Sequence, residues 1–415
     1  MNSLGPIIFL SIFFLISLLL HWYVFQGFKA LISDWESIRY KTYAYYFYWL
    51  MATVIITVII YAFIRIIIEG EIRPQIQYFL NVFLTVTTTQ LVFIFFMLGE
   101  DLYRSVVAGM NYFSGESAPY LPSRRKFVTQ LGMAIAAVPF TGFIYGIVKG
   151  KYNFKVHREV IYFPDLPDDF EGFSIVQISD IHAGSFRDYQ AVQRGIDLAK
   201  NQNADMFVFT GDLVNHKAEE IEPMLEQFKA INAPYGQYSI LGNHDYGDYV
   251  SWPSQAAKEA NFAKVKKQHE LMGYRLLLDE NVTIEKGNSR IKLLGVENWG
   301  VGFKSKGDLS KALQGVEDND FKILLSHDPS HWDKEVKNHP SKINLTLSGH
   351  THGMQFGIEL PGVKWSPAQY RYPNWAGLAN SMGRFLYVNR GFGYHAFSGR
   401  VGIWPEITVL ELRKG

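Results

Sequence analysis

The chain has 415 residues, a formal net charge of +1 and no cysteine. The absence of cysteine excludes disulfides, thiolate metal sites and a cysteine nucleophile, and it leaves the cellular compartment undecided. The near-zero net charge argues against a nucleic-acid enzyme, because such an enzyme is expected to carry a basic face. Charged residues make up only 19% of the chain, and the apolar excess lies before residue 150, which indicates a membrane region followed by a separate domain.

Four apolar stretches in the N-terminal part are long enough to cross a bilayer. The fourth stretch is the weakest, because Pro139 and three glycines interrupt it. The sequence therefore predicts an all-α transmembrane region of four helices over residues 1–150 and a second domain over 151–415, with a boundary near Gly150 and a linker at 115–122. The predicted spans are 7–25, 44–64, 78–98 and 127–148.

Lysine and arginine are distributed unevenly between the loops that connect these spans. The loop between the first two spans holds Lys29, Arg39 and Lys41, the loop between the last two holds Arg104, Arg124, Arg125 and Lys126, and the opposite side holds Arg65 and Arg73. Because cytoplasmic loops collect positive charge, we expect a multi-pass protein of the cytoplasmic (inner) membrane. The same rule places the N-terminus and the domain after residue 150 outside the cytoplasm.

The string Ser123-Arg124-Arg125-Lys126-Phe127-Val128 resembles a twin-arginine export signal in an internal position. If it is one, the twin-arginine export machinery is a partner of this chain. The alternative is an ordinary basic flank on the fourth span. Both alternatives place the two arginines in the cytoplasm and the following domain outside, so they differ only in how the domain is exported.

In the second domain, five apolar runs are predicted as buried strands, and polar residues follow each of them. The runs are 173–178, 206–209, 238–241, 323–325 and 343–347. Since strand ends present loop side chains at fixed positions, we expect these polar residues to gather. Carboxylate, imidazole and amide groups together suit two divalent ions of the manganese, iron or zinc kind. The polar strings are Asp180-Ile181-His182, Gly211-Asp212, Gly242-Asn243-His244-Asp245, His327 and Gly349-His350-Thr351-His352.

The order of these five strings resembles that of the calcineurin-like metallophosphoesterases, over roughly the C-terminal two thirds of the chain. The ending, with Gly391-Phe392-Gly393 and then Trp404-Pro405-Glu406, is similar to the membrane-associated bacterial branch of that family. The resemblance implies an α/β fold, a sandwich of two mixed β-sheets flanked by helices. Helical stretches predicted at 190–201, 219–231 and 255–272 fit such a layered domain.

The same resemblance implies the roles of the metal ligands. Asp212 would bridge two divalent ions, because its two oxygens can each reach one ion. Manganese is the first expectation for both, with iron, zinc or magnesium as alternatives. Asp180, His182 and His352 would complete one site, and Asn243, His327 and His350 the other.

His244 follows a ligand and is predicted to contact the phosphate and donate a proton to the leaving oxygen, with Asp245 orienting its ring. His395 lies near the end of a predicted strand and is a candidate substrate contact. The remaining candidates, His269, His331 and His339, match no metal-binding motif of the family, and we expect them to be ordinary structural residues.

The segment after His352 is rich in aromatic residues, which suit a membrane interface or an amphiphilic substrate. The alternative, which we favour, is an irregular loop packed on the domain. Its aromatic and cationic residues are Trp365, Tyr370, Arg371, Tyr372 and Trp375, with Tyr249 and Trp252 as a facing wall.

The sequence thus predicts a membrane-anchored binuclear metal phosphohydrolase in which a hydroxide bridging the two ions attacks a phosphoester or pyrophosphate bond, with the lipid bilayer and a phosphorylated amphiphile as partners and no nucleic acid. Two alternatives remain open. The first is cytoplasmic hydrolysis of UDP-2,3-diacylglucosamine, the reaction of a similar branch in lipid A synthesis. The second is a transport or signalling protein that only binds a phosphorylated ligand, with the polar residues 85–90 of the third span as its path.

Overall fold

The computed structural model of the chain describes residues 4–69, 74–114, 122–302 and 305–415. It divides into two compact units, Met1–Tyr145 and Gly146–Gly415. Apart from its last residue, the predicted linker at 115–122 lies outside the described residues, and so does Arg73.

Among its described residues, the N-terminal part has four helices that are long and apolar enough to cross a membrane. They are α1 (Leu4–Leu31), α2 (Ile38–Glu69), α3 (Pro74–Ser114) and α4 (Pro122–Val148). The four predicted spans lie inside these helices, which confirms the all-α membrane region. Each helix extends past the predicted span, because helical hydrogen bonding continues into the polar flanks after the apolar run has ended.

Two ion pairs in the first unit join α3 to the beginning of α4. Arg124 pairs with Glu100 at 3.2 Å, and Arg125 pairs with Asp101 at 2.8 Å. Both members of the twin-arginine pair are therefore held by acidic side chains of α3. The Thr89 hydroxyl donates to the carbonyl oxygen of its own helix one turn back, which is the ordinary use of a membrane threonine and gives no support to a transport path.

In the described part of the second unit, the strands form two six-stranded mixed sheets and a separate hairpin. Its strands are β1 (Lys155–Phe163), β2 (Ser174–Ile178), β3 (Met206–Thr210), β4 (Gln237–Ile240), β5 (Arg275–Leu276), β6 (Glu280–Lys286), β7 (Ser289–Gly295), β8 (Lys322–Leu325), β9 (Leu345–Ser348), β10 (Ile358–Leu360), β11 (Val363–Trp365), β12 (Gly377–Ser381), β13 (Arg384–Val388) and β14 (Glu406–Lys414). Its helices are α5 (Tyr189–Lys200), α6 (Leu225–Lys229), α7 (Gln255–Leu271), α8 (Leu309–Ala312) and α9 (Ser330–Lys334).

The first sheet has the order β1-β14-β2-β3-β4-β5, and the second has the order β12-β13-β9-β8-β7-β6. Alternation along the strands builds three apolar layers. Ile175 of β2 and Ile323 of β8 belong to the layer shared by the two sheets. Val176 joins the layer against the helices of the first sheet, and Leu324 joins the outer layer of the second sheet. The predicted sandwich of two mixed sheets flanked by helices is therefore confirmed.

The strands that precede the polar strings run parallel within each sheet. β2, β3 and β4 are mutually parallel neighbours in the first sheet, and β8 and β9 are parallel neighbours in the second. Because parallel neighbours end at the same edge, the loops after them lie together. The predicted helix at 219–231 is divided into a 3₁₀ segment (Ala218–Met224) and α6, since Pro223 removes a backbone donor within that stretch.

Candidate metal centre

The loops that follow β2, β3, β8 and β9 bring the carboxylates and imidazoles of the predicted ligands into two groups. One group is Asp180, His182 and His352, and the other is Asp212, His327 and His350. Within each group the candidate ligand atoms all lie within 4.8 Å of one another. Both groups are formed from both sheets, so neither could exist without the packing of one sheet on the other.

Asp212 belongs to the second group and also lies close to the first. Its Oδ2 is 3.2 Å from His327 Nε2 and 3.5 Å from His182 Nε2, one ring from each group. Its Oδ1 accepts a hydrogen bond from the main-chain N–H of His244 at 2.8 Å. A carboxylate in this position can reach ions on both sides, as the bridging role requires.

Asn243 supplies the amide of the donor set. Its Nδ2 donates to the Tyr249 hydroxyl at 2.8 Å, and its buried Oδ1 has no hydrogen-bond partner among the described residues. A buried carbonyl oxygen without a partner is costly unless something else satisfies it, and a divalent cation would do so. Carboxylate, imidazole and amide donors at these positions therefore fit two divalent ions of the manganese, iron or zinc kind.

The charges at the centre also fit a cation. Burial by itself would raise the pKa of Asp212, but the imidazoles of His327 and His244 hold it well below its ordinary value. Burial alone would lower the pKa of His327, whereas Asp212 and Asp180 raise it to about 10. The raised pKa means that the His327 imidazole carries an additional proton, and it must lose this proton to bind a metal. A bound ion would then supply the positive charge that balances the carboxylates of Asp212 and Asp180.

Hydrogen bonds to the second ring nitrogen orient two of the histidines. His327 Nδ1 lies 2.7 Å from the carbonyl oxygen of Thr210, so it donates its proton there and directs Nε2 toward Asp212. His352 Nδ1 lies 3.1 Å from a guanidinium nitrogen of Arg400, which can only donate. His352 Nε2 then faces Asp180 Oδ1 at 3.2 Å.

Five of the seven predicted ligands have left-handed backbone conformations. A positive φ costs a residue with a side chain about 1–2 kcal/mol, although aspartate and histidine tolerate it better than most. Such a concentration at one place is typical of functional sites. The φ values are 53° for Asp180, 48° for His182, 59° for Asp212, 70° for His350 and 50° for His352.

Two glycines of the polar strings give the carboxylates room. A Cβ atom at Gly242 would collide with the side chain of Asp212, and one at Gly349 would collide with that of Asp180. Close packing at the centre therefore requires glycine at both positions, 242 and 349.

Asn215, which sequence reasoning missed, contacts three histidines of the site. Its side-chain oxygen lies 3.1 Å from His182 Nδ1 and 3.2 Å from His395 Nδ1. Its main-chain oxygen lies 2.9 Å from His244 Nδ1. The only available signal was its place three residues after Asp212, and a polar loop residue is too common to identify from that.

The predicted role of Asp245 as the group that orients the His244 ring is wrong. Its two carboxylate oxygens accept main-chain hydrogen bonds at 2.8–3.3 Å from the four donors Gly242, Asp212, Leu213 and Val214. Asp245 therefore shapes the loops that carry Asp212 and Asn243, and Asn215 holds the His244 ring instead.

Of the other histidines considered in the sequence, His395 lies at the site, whereas His269 and His331 have structural hydrogen bonds. The ring of His395 lies 4.4 Å from that of His244 and 4.7 Å from that of His182, measured between centroids. His269 Nδ1 contacts the Ser239 hydroxyl at 2.9 Å, and His331 Nδ1 contacts the Ser326 hydroxyl at 2.8 Å, as expected for structural residues.

Two tyrosines from the predicted aromatic walls contact the candidate ligands. The Tyr372 hydroxyl lies 2.9 Å from His350 Nε2, and the Tyr249 hydroxyl accepts from Asn243. Trp252 instead donates to the carbonyl oxygen of Gly247, and Trp375 is buried. The aromatic segment is therefore divided between residues at the site and residues that pack the domain.

Two family models match successive parts of the chain. The family model described as "Probable Calcineurin-like phosphoesterase, transmembrane domain" matches residues 5–151. The family model described as "Calcineurin-like phosphoesterase" matches residues 173–354, which include every predicted ligand.

Curated relatives cover much of the same region. The uncharacterized metallophosphoesterase YkuE of Bacillus subtilis is 29% identical over 296 residues, 70% of this chain and 98% of its own. The phosphodiesterase YaeI of Escherichia coli is 27% identical over 296 residues, 70% of this chain and 99% of its own. A transmembrane protein with metallophosphoesterase domain from Danio rerio is 28% identical over 299 residues, 69% of this chain and 63% of its own. The chain is therefore a membrane protein and a hydrolase of phosphoester bonds, and it belongs to the calcineurin-like metallophosphoesterases with a four-helix transmembrane region.

Proposed function

We propose that this chain hydrolyses a phosphoester or pyrophosphate bond of a lipid-linked or envelope substrate at two divalent ions, with manganese as the first choice. The single observation that supports the binuclear site is the position of Asp212, which lies within 3.5 Å of a histidine from each ligand group. When bound, the two ions would neutralise the phosphoryl oxygens and lower the pKa of a water molecule.

His244 is placed to deliver the proton that the leaving oxygen needs. Its Nδ1 donates to the main-chain oxygen of Asn215, so Nε2 is the ring atom that can act on substrate. The ring of His395 lies beside it at 4.4 Å. We assign to His395 a contact with the phosphoryl group, since two adjacent imidazoles can bind the same anion and share the transferred proton.

The lipid-linked nature of the substrate is supported by the position of the site relative to the end of α4. Within the second unit, the Arg400 side chain contacts His352 at 3.1 Å, and its main-chain N–H donates at 3.2 Å to the carbonyl oxygen of Gly146, which lies in the last turn of α4. One residue thus joins a candidate ligand to the end of a candidate membrane span. A phosphate at the membrane surface is the substrate that such a site would meet.

We further propose that the domain lies outside the cytoplasmic membrane, as the distribution of lysine and arginine predicts. For the twin-arginine string we favour the ordinary basic flank, because Arg124 and Arg125 are engaged by Glu100 and Asp101. An export signal must be free to be read by its receptor. Hydrolysis of UDP-2,3-diacylglucosamine becomes the leading alternative only if the domain is cytoplasmic.

The test uses the full chain, purified in detergent and depleted of metal with a chelator. Turnover of an aryl phosphodiester and an aryl phosphomonoester is measured with and without manganese, in the natural chain and in Asp212→Asn. We expect manganese-dependent turnover that Asp212→Asn abolishes. Binding of a phosphodiester without any turnover would overturn the enzyme assignment and favour the ligand-binding alternative.

The lipid part is tested separately with one diester headgroup in two forms, a water-soluble form and a form with acyl chains in mixed micelles. A higher kcat/KM for the acylated form is expected. Equal values would remove the lipid from the proposal while the hydrolase assignment remained.

A further inference from the structure

The hairpin formed by β10 and β11 has two chemically different faces. Its antiparallel register pairs Ile358 with Trp365 and Leu360 with Val363. Since side chains alternate along a strand, these four apolar residues share one face, which we call the apolar hairpin face. The remaining pair, Glu359 and Lys364, lies on the opposite face.

The polar face holds the hairpin to the rest of the domain. Glu359 forms an ion pair with Arg390 at 2.5 Å, and the Lys364 ammonium donates to the carbonyl oxygen of Ala376. Arg390 is in turn paired with the buried Glu406 at 2.6 Å. Glu359 is thus half-buried and turned toward the domain, whereas Lys364 stays exposed although its ammonium is held by Ala376.

Three of the four residues of the apolar hairpin face are strongly exposed, and Trp365 is half-buried. The exposed fractions are 49% for Ile358, 64% for Leu360 and 54% for Val363. Isolated exposed apolar residues are normal, whereas a contiguous set on a two-stranded hairpin indicates a surface that something covers.

Hydrogen bonds inside the second unit place this hairpin beside the end of the last candidate span. Gly357, directly before β10, donates to the carbonyl oxygen of Val401 at 2.9 Å, and Val401 donates back to Gln355 at 2.8 Å. The neighbouring Arg400 donates to Gly146 at 3.2 Å. The candidate span Arg124–Val148 includes Gly146 in its last turn, so two main-chain contacts within the second unit connect the start of the hairpin to a residue of that turn.

We propose that the apolar hairpin face inserts into the interfacial layer of the lipid bilayer. Apolar side chains next to a tryptophan are well suited to that layer, because the tryptophan ring is apolar with one polar edge. Glu359 is already paired with Arg390, and Lys364 lies on the opposite face, where its ammonium donates to Ala376 and stays exposed to water. The hairpin thereby holds the loop of His352, which immediately precedes it, at the level of the lipid headgroups.

The chain has no cysteine, so a single cysteine can be labelled without removing any other. Leu360→Cys and the control Leu271→Cys would each carry a nitrobenzoxadiazole fluorophore in the full chain, reconstituted into phosphatidylcholine nanodiscs with or without doxyl-labelled lipid. Leu271 is a matched control, because it is apolar, 46% exposed and lies at the end of α7. Reconstituted samples are compared by circular dichroism to exclude misfolding.

We expect blue-shifted emission and severalfold stronger quenching by doxyl lipid for the label at 360 than for the label at 271, with the opposite order for quenching by aqueous iodide. Equal quenching at the two positions would overturn the proposal. A label at 360 that is shielded from both quenchers would also overturn it, since protein and not lipid would then cover the face. The measurement needs no catalysis, so its outcome is independent of the proposed hydrolysis.

Discussion

The main-chain oxygen of Asn215 lies 2.9 Å from Nδ1 of His244. This contact holds the ring with Nε2 directed away from the main chain of Asn215. The side chain of the same asparagine meets the rings of His182 and His395. One residue outside the predicted ligand set therefore positions a candidate ligand, the candidate acid and the candidate substrate contact together.

Asp212→Asn should abolish turnover and lower metal occupancy at both positions, because one carboxylate lies close to histidines of both ligand groups. Metal content per chain is measured by atomic emission after removal of loosely bound ions. Asp197→Asn, an exposed aspartate of α5, serves as the control and should retain both. Two ions per chain in Asp212→Asn would contradict the bridging assignment.

His244→Asn should keep its metal content while turnover falls by about 10²-fold or more, since only the proton donor is lost. The loss should shrink for a nitrophenyl ester, whose leaving group needs no proton. Rates for nitrophenyl and alkyl esters of the same phosphate are compared. An equal loss on both would remove His244 as the acid.

Asn215→Ala removes the amide that contacts His182 and His395 but leaves the main-chain oxygen that holds His244. We expect metal affinity to fall by about 10–100-fold, as is usual when a partner of a metal-binding histidine is lost. At saturating metal, the ratio of nitrophenyl to alkyl ester rates should stay near that of the natural chain. A changed ratio with unchanged metal affinity would show that the side chain acts on His244 instead.

Glu406 should make the domain sensitive to acid. Burial alone would raise the pKa of this carboxyl, but Arg390 and other neighbours lower it from 4.5 to about 2. Because the folded pKa is depressed, the stabilisation is complete above the unfolded pKa and is lost as pH falls from about 4.5 toward 2. The shift corresponds to about 3 kcal/mol.

In Glu406→Gln, the transition temperature at neutral pH should therefore be lower than in the natural chain, and the difference should narrow below pH ~4.5. Thermal unfolding followed by tryptophan fluorescence over a pH series measures both curves. A difference that is independent of pH would show that shape and not charge at position 406 matters.

Sidedness is tested with reporters fused after Gly415. A fluorescent protein that folds only in the cytoplasm should be dark, and a periplasmic phosphatase reporter should be active, because the positive loops lie on the other side. A bright cytoplasmic reporter would contradict the proposed orientation. UDP-2,3-diacylglucosamine would then become the leading candidate substrate.

Replacing Arg124 and Arg125 with lysines separates the two interpretations of that pair. Lysine keeps the positive charge opposite Glu100 and Asp101. If the two arginines are an ordinary basic flank, the domain should therefore still be exported. Loss of the periplasmic reporter signal would instead identify a twin-arginine signal and show that the ion pairs do not prevent its recognition.

The sequence by itself determined the four apolar spans and the strands that precede the polar strings, because both depend on local runs of apolar residues. It also identified the seven candidate ligands through the order of the strings. The runs before Asp180, Asp212 and Asn243 end within one residue of the observed strands β2, β3 and β4.

Only the tertiary structure decided which side chains form hydrogen bonds with the histidines and carboxylates of the site. Asp245 was assigned to its sequence neighbour His244, yet its oxygens are taken by main-chain donors of Gly242 and of the loop after β3, because a buried carboxylate takes whichever donors the fold brings to it. Asn215 and Arg400 reach histidines from distant parts of the chain. Sequence order cannot give such contacts, since they arise only when strands that are separated in sequence assemble and their loops meet at one edge of the domain.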